Sequence, residues 1–485
     1  MTADDTSDLL AQRRAKLERL REQGVDPFPP AFAGVEPIAD VRAAHADLSA
    51  GDETEVVHRV AGRLHARRGQ GGMAFLDLDD RSGRIQLQAK VDTLGEERMA
   101  RLLDLDLGDL IGVDGRAFVS RRGELTLEVT DYTVLAKSLR PPPDKHHGLT
   151  DVETRFRRRE LDLIANEESR HAFVTRAKAI AAARRYLDDA GFIEVETPVL
   201  QPLYGGALAR PFTTHHNQLD REFYLRIATE LYLKRLIVGG LERVYELGKD
   251  FRNEGVSFKH NPEFTMLEFY EAYADYTDMA IRLEQLVAEV VAAVGYSGEL
   301  DFTPPWRRVT LRDAIREGSG VDIIEHRDRD GLIAAMEAAN LGMPTADRTW
   351  PQLVDDLLTK HVEAQASNPV IVTDYPVELS PFAKAHRSEP GLVERFEAFV
   401  DGMEIANAFT ELNDPDEQRA RFEEQARYAA QGDEEAQPYD EVFVAALEQG
   451  MPPTGGIGIG IDRLVMLMTG LRSIREVVLF PAMRD

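Results

Sequence analysis

Residues 250–276 read DFRNEGVSFKHNPEFTMLEFYEAYADY, and this stretch decides the predicted fold. Two β-prone runs flank a polar turn that contains a glycine, which is typical of paired antiparallel strands. Because strand side chains alternate between faces, Glu268 and Tyr270 share a face in the second run, as Arg252 and Glu254 do in the first. Arginine is suited to binding a phosphate or carboxylate through two parallel hydrogen bonds. The stretch predicts a charged cleft for a phosphate-bearing substrate, although a surface hairpin with ordinary salt bridges fits the same pattern.

The length and composition predict a large globular protein with more than one domain. At 485 residues the chain exceeds one typical core, and its 43% hydrophobic and 29% charged residues are ordinary for globular proteins. The absence of cysteine excludes disulfides, thiolate metal ligands and a thiol nucleophile. A formal net charge of -27 argues against general polyanion binding, so an RNA partner would have to meet local basic patches.

The sequence also predicts where the protein works. No run approaches the ~20 apolar residues that cross a bilayer. The first residues, MTADDTSDLL, are acidic and polar, whereas a secretory signal is basic and then apolar. We therefore expect a cytoplasmic protein with no membrane partner.

Residues 55–137 carry the pattern of a small β-barrel. Five short alternating runs, with a helical interval near 94–105, predict an OB fold, and residues 1–54 are predicted as a helical extension before it. OB folds hold single-stranded nucleic acid on basic and aromatic side chains. On the residues alone, Phe75 could equally fill the barrel while the arginines keep a turn soluble. The candidate RNA contacts are Arg67, Arg68, Phe75, Arg84 and Gln86.

A larger domain is expected over residues 153–485, after a proline-rich linker at 138–152. Its opening helix, near 168–190, leads into a strand that ends at Pro198. Helical patterns dominate 276–365, which predicts a helical insertion in this domain.

Three further segments bring charged residues beside glycine or β-prone residues. Residues 205–217, GGALARPFTTHHN, predict a mobile loop that closes over a small substrate. Residues 454–470, TGGIGIGIDRLVMLMTG, predict a glycine-rich strand that turns into a helix bearing Arg463. This run lacks the spacing and the GK[ST] of a P-loop, so neither a Walker ATPase nor a Rossmann fold is favoured. Residues 394–414 place carboxylates at Glu397, Glu404 and Glu411.

Several of these segments together resemble the class II aminoacyl-tRNA synthetases. The segment that begins at Arg252 has Asn-Glu, then a loop, then His-Asn-Pro-Glu-Phe-Thr. It is similar to motif 2, in the form of this sequence found in the lysyl members of subclass IIb. GIGIGIDRL resembles motif 3, FIEVETPVLQP with its preceding helix resembles motif 1, and AGRLHARRGQGGMAFLDLDDRSGRIQLQ resembles the anticodon-binding domain. The resemblance implies an α+β protein, with an N-terminal OB-fold barrel and a catalytic domain built on an antiparallel sheet flanked by helices. It also implies a homodimer through motif 1 that uses ATP, L-lysine and lysine tRNA.

The resemblance further implies roles for the matching residues. Arg252 and Arg463 would be catalytic, with Arg252 bridging the substrate carboxylate and the α-phosphate and Arg463 holding the terminal phosphates. The ATP-binding matches are Arg252, Glu254, His260, Phe264, Glu404 and Arg463, and the lysine-binding matches are Gly206, Glu230, Glu268, Tyr270, Asn407 and Glu411. The matches to ligands of Mg²⁺, the expected cofactor, are Glu397 and Glu404. The matches to anticodon contacts are Arg67, Phe75, Arg84 and Gln86.

The chain departs from the family pattern at three positions. These are Lys259, Thr229 and Gln88, where relatives often have arginine, proline and an aromatic residue. There is also a conflict of strand parity, because Glu404 falls on the opposite face from Asn407 and Glu411 in a regular strand. Both roles therefore require a bulge, a turn or a strand end between them.

The anionic pocket predicts the substrate. Carboxylates suit an amino acid that carries an ammonium group at each end, whereas aspartate would be repelled. Attack of a substrate carboxylate on ATP needs positioning and positive charge and no protein nucleophile. Two alternatives stay open: an aspartyl or asparaginyl synthetase of the same subclass, and an RNA-binding paralogue that has lost catalysis. A short paralogue that modifies an elongation factor lacks the predicted barrel.

Overall fold

The computed structural model describes residues 3–69, 72–143, 149–207, 209–343, 346, 348–380, 382–430 and 437–483, with their side chains except those of 3–6 and 428–430. The chain forms two compact units, Met1–Thr150 and Asp151–Asp485. Residues 144–148 of the predicted linker lie outside the described residues, as does residue 208 of the predicted loop. Across the described ranges, no helix combines the length and the apolar character needed to span a membrane.

A closed β-barrel organises the first unit. Its strands are β1 (Glu53–Arg68), β2 (Met73–Asp79), β3 (Arg84–Lys90), β4 (Leu110–Val119) and β5 (Leu125–Ala136), and its helices are α1 (Ala3–Glu22), α2 (Ile38–Ala44), α3 (Val91–Leu94) and α4 (Glu96–Asp104). Among the described residues the barrel closes in the order β1-β2-β3-β5-β4. Inward side chains such as Leu76, Leu78 and Leu87 fill it. The predicted OB-fold barrel, with helices between its third and fourth strands, is confirmed.

A large sheet with flanking helices forms the second unit. Its strands are β6 (Ile193–Glu194), β7 (Leu200–Gln201), β8 (Thr213–His216), β9 (Arg221–Leu225), β10 (Arg243–Phe251), β11 (Glu263–Ala272), β12 (Arg307–Thr310), β13 (Val370–Pro376), β14 (Leu392–Val400), β15 (Met403–Thr410) and β16 (Thr454–Gly460). Its helices are α5 (Val152–Arg157), α6 (Arg159–Ala165), α7 (Glu167–Asp189), α8 (Glu230–Val238), α9 (Tyr276–Val294), α10 (Leu311–Ser319), α11 (Arg329–Ala338), α12 (Trp350–His361), α13 (Pro415–Ala430), α14 (Glu441–Leu447), α15 (Ile461–Thr469) and α16 (Ile474–Val477), with 3₁₀ turns at Glu363–Gln365 and Val377–Leu379.

The strand order places the predicted motifs side by side. In the described residues the large sheet runs β12-β13-β14-β15-β16-β11-β10-β6, and a small sheet runs β7-β9-β8. The central strands are antiparallel, whereas β6 pairs parallel with β10 and β12 pairs parallel with β13. The glycine-rich β16 therefore lies between β11 and β15, which carry the predicted substrate carboxylates. The predicted α+β class and antiparallel catalytic sheet are confirmed.

The predicted helical insertion at 276–365 needs correction. The segment is largely helical, but α9 packs Leu283 and Leu286 into the main core, and β12 joins the edge of the large sheet. Only the helices after β12 form a separate apolar cluster, which packs against β13. Residues near 276 are thus part of the central domain, because the apolar stripe of α9 is needed to cover the sheet.

The strand expected before Pro198 is also shorter than predicted, since β6 has only two residues. Thr197 leaves the sheet pattern because its backbone N–H and hydroxyl both donate to Glu246 Oε2, at 3.1 and 2.7 Å. Likewise, β10 ends at Phe251, so Arg252 and Glu254 follow the strand and do not share a strand face.

A β-bulge resolves the parity conflict in the hairpin of β14 and β15. Ala398 lies opposite Ala406, but the neighbouring Phe399 lies opposite Glu404, so Ile405 is the extra residue. The Ile405 side chain is buried in the core. The bulge re-aims Glu404 and allows it to line the same cavity as residues farther along the strand.

Candidate functional site

A cavity of about 380 Å³ lies over the middle of the large sheet, within the size range of small-ligand sites. Its floor depends on the glycines of β16. A Cβ on Gly456 would overlap Glu411 Oε1 and the Tyr270 ring, and one on Gly458 would lie 3.1 Å from Met266 Cε. The glycine run therefore leaves room for the side chains that β11 and β15 send into the cavity.

The predicted substrate residues converge on this cavity from distant parts of the sequence. Those that line it are Gly206, Glu230, Arg252, Glu254, His260, Phe264, Glu268, Tyr270, Glu404, Asn407, Glu411 and Arg463. Glu397 does not line it and lies on the neighbouring strand, opposite Asn407.

Arg252 stands at the edge of the cavity directly after β10. Its Nε donates to the Ile227 carbonyl at 3.4 Å, and its guanidinium carbon lies 5.1 Å from the centre of the Phe264 ring. A hydrogen bond of that length is weak. Stacking on the ring therefore contributes much of the orientation, and the guanidinium fork stays available to an anion.

Arg463 lies in the first turn of α15 and is held by two polar side chains. Its Nη1 donates to the Glu404 carbonyl at 2.7 Å and to Glu404 Oε2 at 3.1 Å, and its Nη2 lies 3.3 Å from His260 Nε2. Burial lowers the pKa of His260, and the nearby charges of Arg463 and Lys259 lower it further. A neutral imidazole can accept a hydrogen bond from Arg463, so both contacts fix the guanidinium beside the cavity.

Three carboxylates that line the cavity, Glu230, Glu268 and Glu411, form what we call its acidic wall. Glu268 is held by two hydrogen bonds. Its Oε2 accepts a hydrogen bond from the Tyr270 hydroxyl at 3.2 Å, and its Oε1 accepts one from the backbone N–H of Thr229 at 3.3 Å. Burial raises the pKa of Glu268 to about 8, and the charges of Asp250 and Glu230 raise it further. Thr229 departs from the family's proline, and its N–H makes a contact that proline could not make.

Glu411 directly follows β15 and is buried beside Glu230 and Lys234. Lys234 Nζ contacts its Oε2, whereas its Oε1 receives no hydrogen bond from the described residues. Burial raises the pKa of Glu411 to about 8; Lys234 lowers it, whereas Glu230 and Glu268 raise it. Leaving a buried carboxylate oxygen without a hydrogen bond is costly, and a cationic ligand in the cavity would remove that cost.

Glu397 and Glu404 offer oxygen ligands on neighbouring strands. Glu397 accepts a hydrogen bond from the Tyr375 hydroxyl at 3.0 Å and pairs with Arg395. Burial raises the pKa of Glu397 to about 7; Arg395 lowers it and Glu404 raises it. Two carboxylates that repel each other fit a hard divalent cation. No group of three His, Cys, Asp or Glu side chains in the described part of the chain could hold a metal, so further ligands would come from substrate or water.

The local surroundings of Gly206 and Lys259 explain what each residue does beside the cavity. Gly206 has φ +89°, and a Cβ there would lie 3.0 Å from Glu230 Cβ and 3.1 Å from Ala228 Cβ. Glycine at this position therefore allows both the backbone conformation and the close approach. Lys259 also lines the cavity, and its charge is paired there because its Nζ lies 2.6 Å from Glu363 Oε1.

Phe75 is on the outer face of the barrel. It is half-buried, lies opposite Arg68 on β1 and Gln88 on β3, and is not among the side chains that fill the barrel. The alternative that Phe75 is a core residue is therefore wrong. Arg68 shares this face and pairs with Asp77 at 2.8 Å.

The other predicted RNA contacts are divided between two environments. Arg84 forms a two-pronged pair with Asp79, at 2.6 and 2.9 Å, and Gln86 Oε1 accepts a hydrogen bond from the Thr126 hydroxyl. Arg67 lies opposite the buried Leu76, and its guanidinium donates to backbone carbonyls at the end of α4. Arg67 thus does not stand beside Phe75, because it satisfies the carbonyls that the helix leaves open.

Comparisons with known proteins agree with this geometry. A family profile described as tRNA synthetases class II (D, K and N) matches residues 151–484, and one described as OB-fold nucleic acid binding domain matches residues 58–135. The chain belongs to the class II tRNA synthetases of the D, K and N group.

Similar proteins cover the whole length of this synthetase. A lysine–tRNA ligase of Synechococcus sp. (strain CC9311) is 52% identical over 99% of both chains. A lysine–tRNA ligase of Dehalococcoides mccartyi is 50% identical over 98% of this chain and 97% of its own. One of Bacillus cereus (strain G9842) is 47% identical over 100% of this chain and 99% of its own.

The synthetase also uses polar residues that the sequence analysis missed. Asp462 accepts a hydrogen bond from the Thr265 N–H at 2.8 Å and pairs with Arg176 Nη1 at 2.5 Å, while Arg176 Nη2 donates to the Thr265 hydroxyl at 2.8 Å. This network joins α7, β11 and α15 next to Arg463. Lys234 was missed as well, although its i,i+4 spacing from Glu230 is a recognisable signal.

The acidic wall predicts how the stability of the ligand-free synthetase depends on pH. Glu268 and Glu411 have folded-state pKa values of about 8 against an ordinary 4.5. The folded state therefore binds more protons, so this stabilising contribution is complete below the ordinary pKa and is lost as the pH rises toward the folded one. We expect the thermal midpoint to fall by at least about 3 °C from about pH 5 to 8, and to fall less in Glu411→Gln. Scanning calorimetry measures both; a midpoint that rises with pH, or an equal fall in the variant, contradicts the prediction.

Proposed function

We propose that the protein activates L-lysine with ATP and transfers it to the 3′ end of lysine tRNA, as a lysine–tRNA ligase. The observation that carries this proposal is Glu411, a buried carboxylate on the cavity wall whose Oε2 contacts Lys234 and whose Oε1 receives no hydrogen bond from the described residues. The ε-ammonium of lysine would supply hydrogen bonds to Glu411 and lie near Tyr270. The α-amino group would lie toward Glu230 and Glu268. The names of the relatives support the same substrate.

In the first step, a carboxylate oxygen of lysine attacks the α-phosphorus of ATP. A new P–O bond forms, the bond to the β-phosphate oxygen breaks, and pyrophosphate leaves lysyl-adenylate behind. Both reactants are anionic, so the residues must orient them and offset their charge. Arg252 contacts the lysine carboxylate and the α-phosphate, and Arg463 contacts the terminal phosphates. Phe264 offers an aromatic face to adenine, His260 and Glu254 add polar contacts to ATP, and Asn407 orients lysine.

Glu397 and Glu404 would hold Mg²⁺, with substrate phosphates completing its coordination. Their fit rests on two oxygen ligands whose mutual repulsion a cation would relieve. Bound there, the ion would offset the charge of the phosphates. Arg463 already contacts Glu404 at 3.1 Å, so this glutamate would link the metal to the arginine that holds the phosphates.

In the second step, a terminal ribose hydroxyl of tRNA attacks the carbonyl carbon of the adenylate. The C–O bond to lysine forms, the bond to AMP breaks, and AMP leaves while the hydroxyl proton passes to the departing phosphate or to water. Of the two alternatives, the aspartyl and asparaginyl specificities are disfavoured because Glu268 and Glu411 would repel aspartate, and the neutral side chain of asparagine would not offset their charge. The non-catalytic paralogue is disfavoured because Arg252, Glu404 and Arg463 are all present and line one cavity.

The barrel would bind the anticodon of the tRNA through its outer face. Phe75 offers a surface on which a base can stack, with Arg84 and Gln86 on the adjoining strand. We expect Phe75→Ala to lower kcat/KM for charging lysine tRNA by about 10- to 100-fold, because one stacked base contributes ~1–3 kcal/mol. Lysine-dependent exchange of pyrophosphate into ATP, which needs no tRNA, should be unchanged.

Transfer of labelled lysine to tRNA tests both the function and this face of the barrel. Phe28→Ala is the control, since Phe28 is an exposed aromatic of the same unit outside the barrel strands. Charging of tRNA with an amino acid other than lysine would overturn the function. If Phe75→Ala and Phe28→Ala lose the same fraction of kcat/KM for charging, Phe75 has no specific part in binding the anticodon.

The protein would act as a homodimer in the cytoplasm, where tRNA charging serves translation. Exposed apolar side chains on α7 and in the segment after it support a dimer through motif 1. They are Val174, Ile193, Val199 and Leu200. These exposed apolar side chains are available to a second copy of the chain.

A further inference from the structure

Lys234 is a fully buried lysine directly behind the acidic wall. It lies one helical turn after Glu230 on α8, and its Nζ is 2.6 Å from Glu230 Oε1 and in ionic contact with Glu411. Both glutamates line the cavity, whereas Lys234 does not. The ammonium group therefore lies on the side of the two carboxylates that faces away from the substrate.

The surroundings of Lys234 are otherwise apolar. Its Nζ lies 5.6 Å from the Phe382 ring and 6.0 Å from the Phe443 ring, within an apolar cluster that includes Leu231 and Ile237. A buried ion pair is often no more stabilising than well-packed apolar side chains, so packing alone does not account for a lysine here. Burial lowers the pKa of Lys234, but the charges of Glu230 and Glu411 outweigh burial and hold it above its ordinary value.

The charges on this wall match those of a lysine substrate. Asp250 is paired with Arg226 at 3.1 Å, and burial holds the pKa of Tyr270 well above its ordinary range, so this phenol is neutral. When lysine is bound and all three carboxylates are ionised, Lys234 offsets one of them, which leaves two negative charges for the two ammonium groups of lysine. The three carboxylates are Glu230, Glu268 and Glu411.

We propose that Lys234 is a positioning residue for the amino-acid substrate, which holds Glu230 and Glu411 toward the cavity and sets the charge of the wall to match lysine. This inference rests on the proposed function. Lys234 lowers the pKa of Glu411. Without the ammonium group the pKa of Glu411 would rise further, so the substrate ammonium would have to displace a more tightly held proton and would bind more weakly.

Lys234→Met removes the charge while keeping a long, flexible side chain. In pyrophosphate exchange we expect its KM for lysine to rise by about 10- to 100-fold at neutral pH, with KM for ATP within about twofold of wild type. The rise should shrink as the pH increases, because Glu411 then ionises without help. The pH profile of KM for lysine should therefore move upward by about one unit. Lys234→Arg, which keeps a cation, should return the profile toward that of wild type.

Lys137→Met is the matched control. Lys137 is also a fully buried lysine between two carboxylates, 2.7 Å from Asp106 and 2.9 Å from Asp109, but it belongs to the barrel unit. This variant should lose stability and keep the wild-type KM for lysine at every pH. Lys234→Gln, another neutral side chain, serves if Lys234→Met does not fold.

The outcomes separate this inference from the proposed function. If the wild-type protein shows no lysine-dependent exchange of pyrophosphate into ATP, the proposed function is overturned. A wild type that uses lysine, with an unshifted pH profile in the neutral Lys234 variants, overturns the role of Lys234 alone. Equal increases in KM for lysine and for ATP would show a merely structural role and overturn it too.

Discussion

Arg252→Ala is expected to slow lysine-dependent exchange of pyrophosphate into ATP by about 10³-fold, the scale of loss when one donor to developing charge is removed. In the proposed mechanism the guanidinium bridges the two anions that react, and its hydrogen bonding within the protein is slight. Its Nε bond to Ile227 is 3.4 Å long, and its guanidinium stacks on Phe264. The variant should therefore fold normally and lose activity chiefly in kcat.

Two further variants serve as comparisons for Arg252→Ala. Arg252→Lys keeps the charge but not the planar fork, and we expect an intermediate loss. Arg307→Ala removes an exposed arginine that pairs with Glu317 outside the cavity, and its exchange rate should stay near wild type. Exchange in Arg252→Ala within about tenfold of wild type would contradict the role given to this residue.

Glu411→Gln is expected to raise the KM for lysine by about 10²-fold, because a buried charged contact to the ε-ammonium is replaced by a neutral one. The KM for ATP should change by less than about threefold, since Glu411 lies on the acidic wall and is not among the residues proposed to bind ATP. Steady-state exchange at varied lysine and ATP concentrations measures both constants.

Glu271→Gln provides the comparison for Glu411. Glu271 is also buried and ion-paired, but its partners are Arg243 and Arg282, and it does not line the cavity. That variant should lose stability and keep its KM for lysine. If Glu411→Gln instead raises both KM values equally, Glu411 is a structural residue and the account of lysine selection fails.

Local patterns made much of the site predictable from the sequence. Strand alternation placed Glu268 and Tyr270 on one face, and the structure sends both into the cavity. The conflict of parity at Glu404 required an irregularity, and the bulge at Ile405 provides it. These features depend on residues close together in the chain, so spacing alone carries the information.

Contacts between distant segments were not predictable in the same way. The ionic contact of Lys234 with Glu411 depends on how α8 packs beside the sheet, which spacing along the chain does not reveal. The hydrogen bond of Arg67 to a carbonyl at the end of α4 likewise depends on where that helix lies against the barrel. The extent of the helical insertion was misjudged because helical periodicity does not distinguish a helix that covers the main sheet from one outside it.

The central claim is that the cavity selects lysine. Pyrophosphate exchange into ATP, measured without tRNA and with lysine, aspartate or asparagine as the only amino acid, tests it most directly. The acidic wall predicts exchange with lysine at least about 10³-fold faster than with either of the others, since the difference in charge complementarity amounts to several kcal/mol. Exchange driven by aspartate or asparagine but not by lysine would contradict the claim.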